Sequence, residues 1–299
     1  MKTLALRFLL GLFVATALSL TAWAQTKPGA IKAVKVEGEV FKLTHDGQSV
    51  KLTEGALLTE SDTVTTGKSS SVVLVFMNGS SIKVAPESKL AIEEFKMDPL
   101  DEPIEVSKLK SEPSVSKTKL NLAYGEMVGE VKHLNKDKGS TFDIETPVGA
   151  AGIRGTTFRI VFRPSGDGKA FNFTLSTAEG VVLFTGSVAG AKGVDVPQDK
   201  EVVVTAQVDP TTQTITSLEV STPQPISPEA TQAITTTVTT VINQAQQTTT
   251  FTPTEQQAPS TTGAGTSGGS TTPTPPATPT QPTTTPTNNP SLTPGDGGT

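Results

Sequence analysis

The chain has 299 residues, no cysteine and a formal net charge of −5 at neutral pH. The absence of cysteine excludes disulfides, thiol catalysis and thiolate metal sites. The acidic balance argues against nucleic acid as a partner, because phosphate backbones attract basic proteins.

A short basic and then apolar leader opens the chain. Lys2 and Arg7 precede an uncharged stretch over residues 8–20. Ala22-Trp23-Ala24 then has the small-x-small pattern of a signal-peptidase site. The stretch is too short to cross a bilayer comfortably, which takes about 20 apolar residues. We therefore predict a signal peptide over residues 1–24, cleavage before Gln25, and a periplasmic or secreted protein with no further membrane span.

Residues 29–220 predict one domain of short strands. Val34 and Val36 alternate with charged residues at a period of two, and Gly38 at the change of phase suggests a bulge. Residues 72–76 form a continuous apolar run, typical of a strand buried on both faces, and Asn78-Gly79 directly after it predicts a hairpin. Strand and turn signals recur about every 8–12 residues. The predicted fold class is all-β and mainly antiparallel, either a β-sandwich or a stacked β-roll.

The strand pattern lapses over residues 97–119. Three prolines and many charged residues occur there, which predicts a long exposed loop inserted between strands. Its acidic residues lack the spacing and the turn glycine of a calcium loop, so a solvated loop is the preferred interpretation. These acids are Asp98, Asp101, Glu102 and Glu105.

The C-terminal quarter changes in composition. Ser227 and Pro228 are typical of a helix start, and apolar residues at helical spacing predict an amphipathic helix over residues 227–247. Residues 248–299 are rich in Thr, Pro and Gly. Such a segment cannot bury enough apolar surface to offset its ordering entropy, so we predict a disordered tail.

The candidate chemistry is sparse. His45 and His133 are the only histidines, and neither has another histidine nearby with which to share a metal. No nucleophile and base converge in the sequence. We therefore predict no catalytic residue, no metal site and no cofactor, and the protein is not expected to be an enzyme.

A glycine-rich stretch surrounds Arg154. Gly149, Gly152 and Gly155 could cradle a phosphate only if a helix followed, but residues 158–162 have the pattern of a strand. The preferred interpretation is structural, with the glycines allowing tight turns and Arg154 holding neighbouring carbonyls or a carboxylate through its planar fork. Contact with a ligand is the alternative.

Four segments occur in the order of one known family. Residues 59–71, 74–84, 86–90 and 146–158 resemble the successive elements of the FecR domain family, with a match over residues 34–161 and residues 97–119 as an insertion. Ser61-Asp62 stands where the family usually has Gly-Asp. The residues that carry the signature, in a structural or interaction role, are Thr66, Gly67, Asn78, Gly79, Ser80, Thr146, Pro147, Gly149, Arg154, Gly155 and Thr156.

The resemblance implies an extracytoplasmic β-domain used for interaction. The best-known members receive a signal from an outer-membrane receptor and pass it through the inner membrane to a cytoplasmic segment that controls a sigma factor. This sequence departs from that plan, since no cytoplasmic segment precedes the leader and no other apolar stretch could span a membrane.

These features predict an exported, non-enzymatic binding protein of the periplasm or cell envelope, with a role in signal sensing. Its expected partner is another envelope protein or polymer, and the tail would act as a spacer or tether. The alternative is a structural protein of the cell envelope or extracellular matrix, in which the Thr/Pro-rich tail makes surface contacts. The oligomeric state stays open.

Overall fold

The computed structural model describes residues 26–165, 170–188, 191–209, 212 and 214–257. The predicted signal peptide over residues 1–24, the middle of the loop before residue 170, and the predicted tail from residue 258 onward lie outside the described residues.

The strands, numbered β1–β21 in chain order, form two large sheets. The first, sheet A, contains β1 (Lys27–Pro28), β3 (Val40–Leu43), β4 (Ser49–Lys51), β6 (Thr63–Thr66), β9 (Ser88–Met97), the first part of β11 (Ser116–Glu130), β12 (Thr141–Thr146), β13 (Gly149–Ile153), β16 (Val181–Gly186) and β17 (Val194–Pro197).

The second, sheet B, contains β2 (Ile31–Glu37), β5 (Leu57–Leu58), β7 (Ser71–Phe76), β8 (Ser81–Val84), the rest of β11, β14 (Thr157–Pro164), β15 (Ala170–Glu179), β18 (Lys200–Val208), β19 (Ile215–Val220) and β20 (Gln224–Pro225). A separate small pair joins β10 (Ile104–Glu105) to β21 (Thr250–Phe251). Among the described pairs, β11–β12 is parallel and the others are antiparallel, which confirms the predicted all-β, mainly antiparallel class.

The two sheets face each other across one aromatic core. Phe76 of sheet B meets Phe95 and Phe142 of sheet A edge-on, with ring centroids 5.3 and 5.9 Å apart. Farther along, Phe173 of sheet B stacks on Phe184 of sheet A at 5.0 Å. All five rings are buried, and such pairs add about 0.5–1.5 kcal/mol each beyond the area they bury. The sequence left a sandwich and a stacked roll open. The fold has the facing layers of a sandwich and, because β11 belongs to both sheets, the continuous closed strand order of a rolled sheet.

The chain repeatedly turns from one sheet into the other through a left-handed residue. Strand β2 passes to β3 through Gly38, which has φ +73°, so the predicted bulge is a corner between sheets rather than an extra residue within one strand. Glycine adopts this conformation freely, whereas other residues are strained in it. The residues with positive φ at these corners are Gly38, Ser69, Glu87, Gly125, Gly155, Gly180 and Asp199.

One of these corners lies within β11. Its first part pairs with β9 and β12 in sheet A, and its second part pairs with β8 and β14 in sheet B. Gly125, with φ +118°, stands at the change of sheet. A Cβ atom there would lie 2.1 Å from Ser88 Oγ and 2.5 Å from Ser88 Cα, so the backbones approach too closely for any side chain.

The predicted hairpin and doubly buried strand are both confirmed. Strands β7 and β8 pair antiparallel across Asn78-Gly79, where Gly79 has φ +89° and its N–H donates to Phe76 O at 2.8 Å. Every residue of β7 is buried. Phe76 faces the core between the sheets, and the alternate residues Val73 and Val75 face the other side, which the C-terminal helix covers.

The helix comprises α1 (Pro228–Thr237), a π-helical turn (Val238–Ile242) and α2 (Asn243–Thr248), and it confirms the predicted helix. Ser227 is the N-cap, and its Oγ accepts from Ala230 N at 3.3 Å. Near the C-terminal end of the helix, Gln246 is buried and its Nε2 donates to Ser81 Oγ on β8 at 3.2 Å. The helix therefore covers the outer face of sheet B.

The segment after the helix was expected to be disordered, and that boundary is too early. Phe251 is fully buried and pairs with Ile104 across β21 and β10. Gln256 is also buried, and its Nε2 donates to Asp98 O at 3.2 Å. The one large apolar ring at residue 251 supplies the burial that the rest of this polar segment lacks.

The predicted long exposed loop over residues 97–119 is likewise corrected. Met97 ends β9 and Ser116 begins β11, and the stretch between them holds β10 and a 3₁₀ turn over Val106–Lys108. Val106 is fully buried, and its N–H donates to Thr249 O at 3.0 Å. This stretch holds the C-terminal segment against the sheets, a long-range contact that local sequence patterns do not reveal.

A lysine lies inside the core, which the sequence did not indicate. Lys42 is fully buried on β3, and its Nζ donates to Leu57 O at 3.3 Å and lies 4.0 Å from Asp62 Oδ2. Burial lowers the pKa of Lys42 below its ordinary value, and the Asp62 carboxylate acts in the opposite direction.

We expect Gly125→Ala to lower the free energy of unfolding by about 3 kcal/mol or more, because left-handed strain and overlap with Ser88 add together. Gly47→Ala is the matched control, since Gly47 has φ +82° but no atom within 4 Å of an added Cβ; it should cost only about 1 kcal/mol. Urea unfolding measures the free energy of unfolding of both variants, and equal losses in the two would contradict the close approach of β11 to Ser88.

Ser61 offers a test in the opposite direction. It is exposed, has φ +74° and replaces the glycine that the family pattern has. We expect Ser61→Gly to raise the free energy of unfolding by about 0.5–1 kcal/mol by relieving that strain. Ser49→Gly, in the extended strand β4, should instead lower it. A lower free energy of unfolding for Ser61→Gly, measured with urea, would contradict the inference that Ser61 is strained in this turn.

Candidate functional site

The signature over residues 146–158 forms a hairpin and then a corner. Strands β12 and β13 pair antiparallel, with Pro147 and Val148 between them. Thr146 Oγ1 donates to Gly149 O at 2.8 Å and closes this tight turn, while Pro147 is exposed. The chain then turns at Gly155 and enters β14 in sheet B.

Two of the three glycines around Arg154 are required by the backbone. A Cβ on Gly149 would lie 2.4 Å from Thr185 O, and one on Gly155, with φ +75°, would lie 3.0 Å from His133 Nδ1. A Cβ on Gly152 would find ordinary contacts only, the nearest being Asp143 Oδ1 at 3.5 Å. The packing therefore does not require glycine at residue 152, and the missing side chain leaves the surface there open.

The other signature residues also hold corners and turns together. Thr66 Oγ1 donates to Ala85 O at 2.7 Å, and Gly67 N donates to Glu39 O at 2.9 Å. Thr156 is buried and its carbonyl accepts from Val131 N at 2.9 Å, although its hydroxyl finds no partner among the described residues.

The hairpin turn carries the next part of the signature. Asn78 Oδ1 accepts from Ser80 N at 3.1 Å, and Asn78 Nδ2 donates to Ser116 Oγ at 3.1 Å. Gly79 supplies the left-handed residue of this turn. Asn78, Gly79 and Ser80 thus serve structure and do not line the groove described next.

Arg154 does not have the structural role expected of it. Its side chain is exposed and makes no hydrogen bond or salt bridge to any described residue. Arg163 binds neighbouring backbone carbonyls instead. Its Nη1 and Nη2 donate to Glu87 O and Pro86 O at 2.8 and 2.9 Å. The sequence analysis assigned this role to Arg154 and did not indicate Arg163, which lies on β14.

Arg154 lies instead in a surface groove on the outer side of sheet A. On one side the groove has a volume of about 390 Å³, with Gly152 on its floor and a wall from the loop before β12. On the other side of Arg154 a second hollow of about 450 Å³ runs along the 3₁₀ turn Lys136–Lys138. The residues shared by both hollows are Leu134, Lys136 and Arg154.

The loop that forms this wall is fixed to the sheet. Glu112 accepts from Asn135 N through Oε1 and from Ser116 Oγ through Oε2, the latter at 2.6 Å. Ser140 Oγ accepts from Ser116 N at 3.2 Å. A buried carboxylate thus places Lys136 and Lys138 beside Arg154, an arrangement between segments that sequence spacing did not indicate.

Residues 62–189 match the family model described as FecR protein. The chain therefore carries a FecR domain. The match begins later than the expected residue 34 and extends beyond residue 161, so the FecR domain includes β14 to β16 together with the groove. No curated protein matches the sequence.

Two crystal structures resemble the fold that carries the FecR domain. Each is described as a "putative anti-sigma factor" from Parabacteroides distasonis. One has 10% identity and a TM-score of 0.37, with coverage of 57% of this chain and 62% of that chain. The other has 11% identity and a TM-score of 0.39, with coverage of 57% and 63%. The alignment thus spans less than two thirds of either structure, and neither likeness bears on function.

Within the described residues, no group of three His, Cys, Asp or Glu side chains could hold a metal ion. In the same part of the chain, no helix is long and apolar enough to cross a membrane.

One carboxyl group of the FecR domain is perturbed. Asp143 lies in the groove opposite Gly152, and burial raises its pKa above the ordinary value of 3.8. The negative charge of Glu145 adds to this, while Lys119 and Arg154 oppose it. Sequence reasoning missed Asp143, although the alternation of β12 places it on the outer face with Thr141 and Glu145.

This pKa predicts a dependence of stability on pH. With a raised pKa, the folded protein binds more protons than the unfolded chain above pH 3.8, so the stabilising contribution of Asp143 is full below that pH and is lost as pH rises. We expect Asp143→Asn to raise the Tm at pH 7 by up to about 2–4 °C and to leave it unchanged at pH 3.

Circular dichroism melts at the two pH values measure this effect. Asp195→Asn, at an exposed carboxyl on β17 of the same sheet, is the control and should shift neither Tm. A lower Tm for Asp143→Asn at pH 7 would show that the carboxylate is stabilising there, contrary to the expectation.

Proposed function

We propose that this protein is an exported, non-enzymatic binding protein that acts in signal transduction in the periplasm or cell envelope. The groove at Arg154 is its contact surface. The observation that carries this proposal is the contrast within the FecR signature. Its turn and corner residues make contacts that hold the fold, whereas Arg154 is exposed and unpaired among the described residues.

The two outer faces of the sandwich differ in a way that supports this choice. The helix α1–α2 covers the outer face of sheet B through buried residues such as Ile234 and Gln246. The outer face of sheet A has no such cover from the described residues, and Phe41 and Tyr124 on it are 37% and 43% exposed. A partner therefore finds sheet A accessible and sheet B occupied.

The side chains in the groove suit binding better than catalysis. Its hydroxyl groups belong to Ser140 and Thr141, and Ser140 Oγ is occupied by Ser116 N. Among the described residues, neither of these two hydroxyls is hydrogen-bonded to a histidine or carboxylate, as an activated nucleophile requires. Cations, two acids and apolar walls are a typical recognition surface.

A direct test places a photo-crosslinking amino acid at Thr141 in the full chain, within its native envelope. Thr141 is exposed and lines the groove, while Thr235 is exposed on the helix and is the matched control. We expect a crosslinked partner from residue 141, no partner from residue 235, and loss of the product in Arg154→Glu. Equal crosslinking from both residues would exclude the groove as the contact surface.

A second arm separates this function from the structural alternative. A chain that ends at residue 257 keeps all the strands and the helix that the structure describes. We expect its crosslink at residue 141 to persist. If the product and the envelope association both vanish with the tail, the protein belongs instead to the envelope or matrix framework through its Thr/Pro-rich end.

A further inference from the structure

We propose that the groove binds an acidic segment of a protein partner, with one carboxylate between Arg154 and Lys136 and a neighbouring apolar side chain over Gly152. This inference rests on the proposed function and names the chemistry of the partner. It follows from the charge, the shape and the floor of the groove.

Cations outnumber acids in the lining of the groove, three against Asp137 and Asp143, although the chain as a whole is acidic. The sequence has a net charge of −5, yet three cations, Lys136, Lys138 and Arg154, line the two hollows. Within the described ranges, the side chains of all three lack a salt bridge or hydrogen bond.

Elsewhere on sheet A, lysine side chains are neutralised by salt bridges to glutamates. Lys119 Nζ lies 3.1 Å from Glu93 and 3.0 Å from Glu145, and Lys96 Nζ lies 3.4 Å from Glu94. The two Lys119 pairs link β9, β11 and β12, and the Lys96 pair lies within β9. Asp137 and Asp143 also line the groove, but no described acid forms a direct ion pair with Lys136, Lys138 or Arg154, and a carboxylate from a partner would supply one.

Arginine gives the site its geometry. A guanidinium presents two parallel N–H groups that match the two oxygens of a carboxylate, and such bidentate pairs are stronger and more directional than contacts with lysine. Arg154 is exposed and its fork is unoccupied by any described residue. Lys136 lies on the same hollows and can add a second, less directional charge.

The floor favours a side chain rather than an isolated anion. Leu134 and Leu183 are only partly buried in the wall of the hollow, and Gly152 leaves the surface between them open. A Cβ on Gly152 would meet nothing closer than 3.5 Å, so the fold does not require glycine at this residue. The open floor therefore fits an apolar side chain next to the carboxylate.

The rim excludes long polyanions. Asp137 lines one hollow and Asp143 the other, and Glu145 lies beside Asp143 on β12. Nucleic acids and anionic membranes present continuous negative charge, which these acids repel. A protein segment can place one carboxylate at Arg154 and keep its other contacts neutral.

The test is a titration of the ¹⁵N-labelled chain from Gln25 to Thr299 by NMR. The probe is the blocked pentapeptide Gly-Leu-Glu-Leu-Gly, and the control peptide has glutamine in place of glutamate. We expect the glutamate peptide to shift the amides of residues 133–139 and 152–155, with at least tenfold weaker binding for the glutamine peptide. Arg154→Gln should lower the affinity at least tenfold.

Two variants keep the outcome interpretable. Gly152→Val fills the floor and should abolish binding while leaving the Tm unchanged. Lys51→Ala removes an exposed cation on the edge strand β4 and should leave the affinity unchanged. A folded Gly152→Val protein that still binds the peptide would contradict the placement of the apolar side chain.

Other outcomes overturn the partner class. Equal binding of the two peptides would remove the charge argument. Tighter binding of inorganic phosphate, or of vesicles with phosphatidylglycerol, with the same dependence on Arg154, would identify an anion site that is not for protein. If residue 141 crosslinks a partner but the peptide does not bind, the proposed function stands and this chemistry fails; if neither occurs, both fail.

Discussion

The close approach of β11 to the corner at Ser88 is the constraint on which this fold depends. One continuous strand belongs to both sheets, so the sheets cannot shift relative to each other without breaking hydrogen bonds on either side of Gly125. Gly125 permits the change of sheet because no side chain fits against Ser88. The other corners repeat this device with Gly38, Gly155 and Gly180, and the shared aromatic core forms between the sheets they connect.

This construction separates the FecR signature into two functions. Most of its residues make corners or close turns, and they fix the backbone so that a small number of side chains project from it in a set direction. Arg154 follows immediately after a buried β13 residue and precedes the left-handed Gly155, so its direction is determined by rigid neighbours on both sides. Because its surroundings are held by Glu112 and Ser140, a partner meets a preformed surface with little ordering cost.

The sequence predicted the elements that depend on local pattern. The apolar run of β7, the hairpin at Asn78-Gly79 and the helix start at Ser227 each follow from neighbouring residues, and each is present. What it missed depends on residues far apart in the chain. The contact of Phe251 with β10, the burial of Lys42 and the groove between Arg154 and the Lys136 turn all join distant segments. The composition near residue 250 resembles the tail, so one buried ring there carries no signal by itself.

The two ends of the described fold lie beside the same residue. Lys27 pairs with Met97, and Gln256 Nε2 lies 3.5 Å from Met97 O. Force applied between these ends would load β1 and the last 3₁₀ turn first, because both lie at the end of β9. A tether at either end would therefore leave the hydrogen-bonded sheets, and the groove they carry, mechanically undisturbed until that local junction opened.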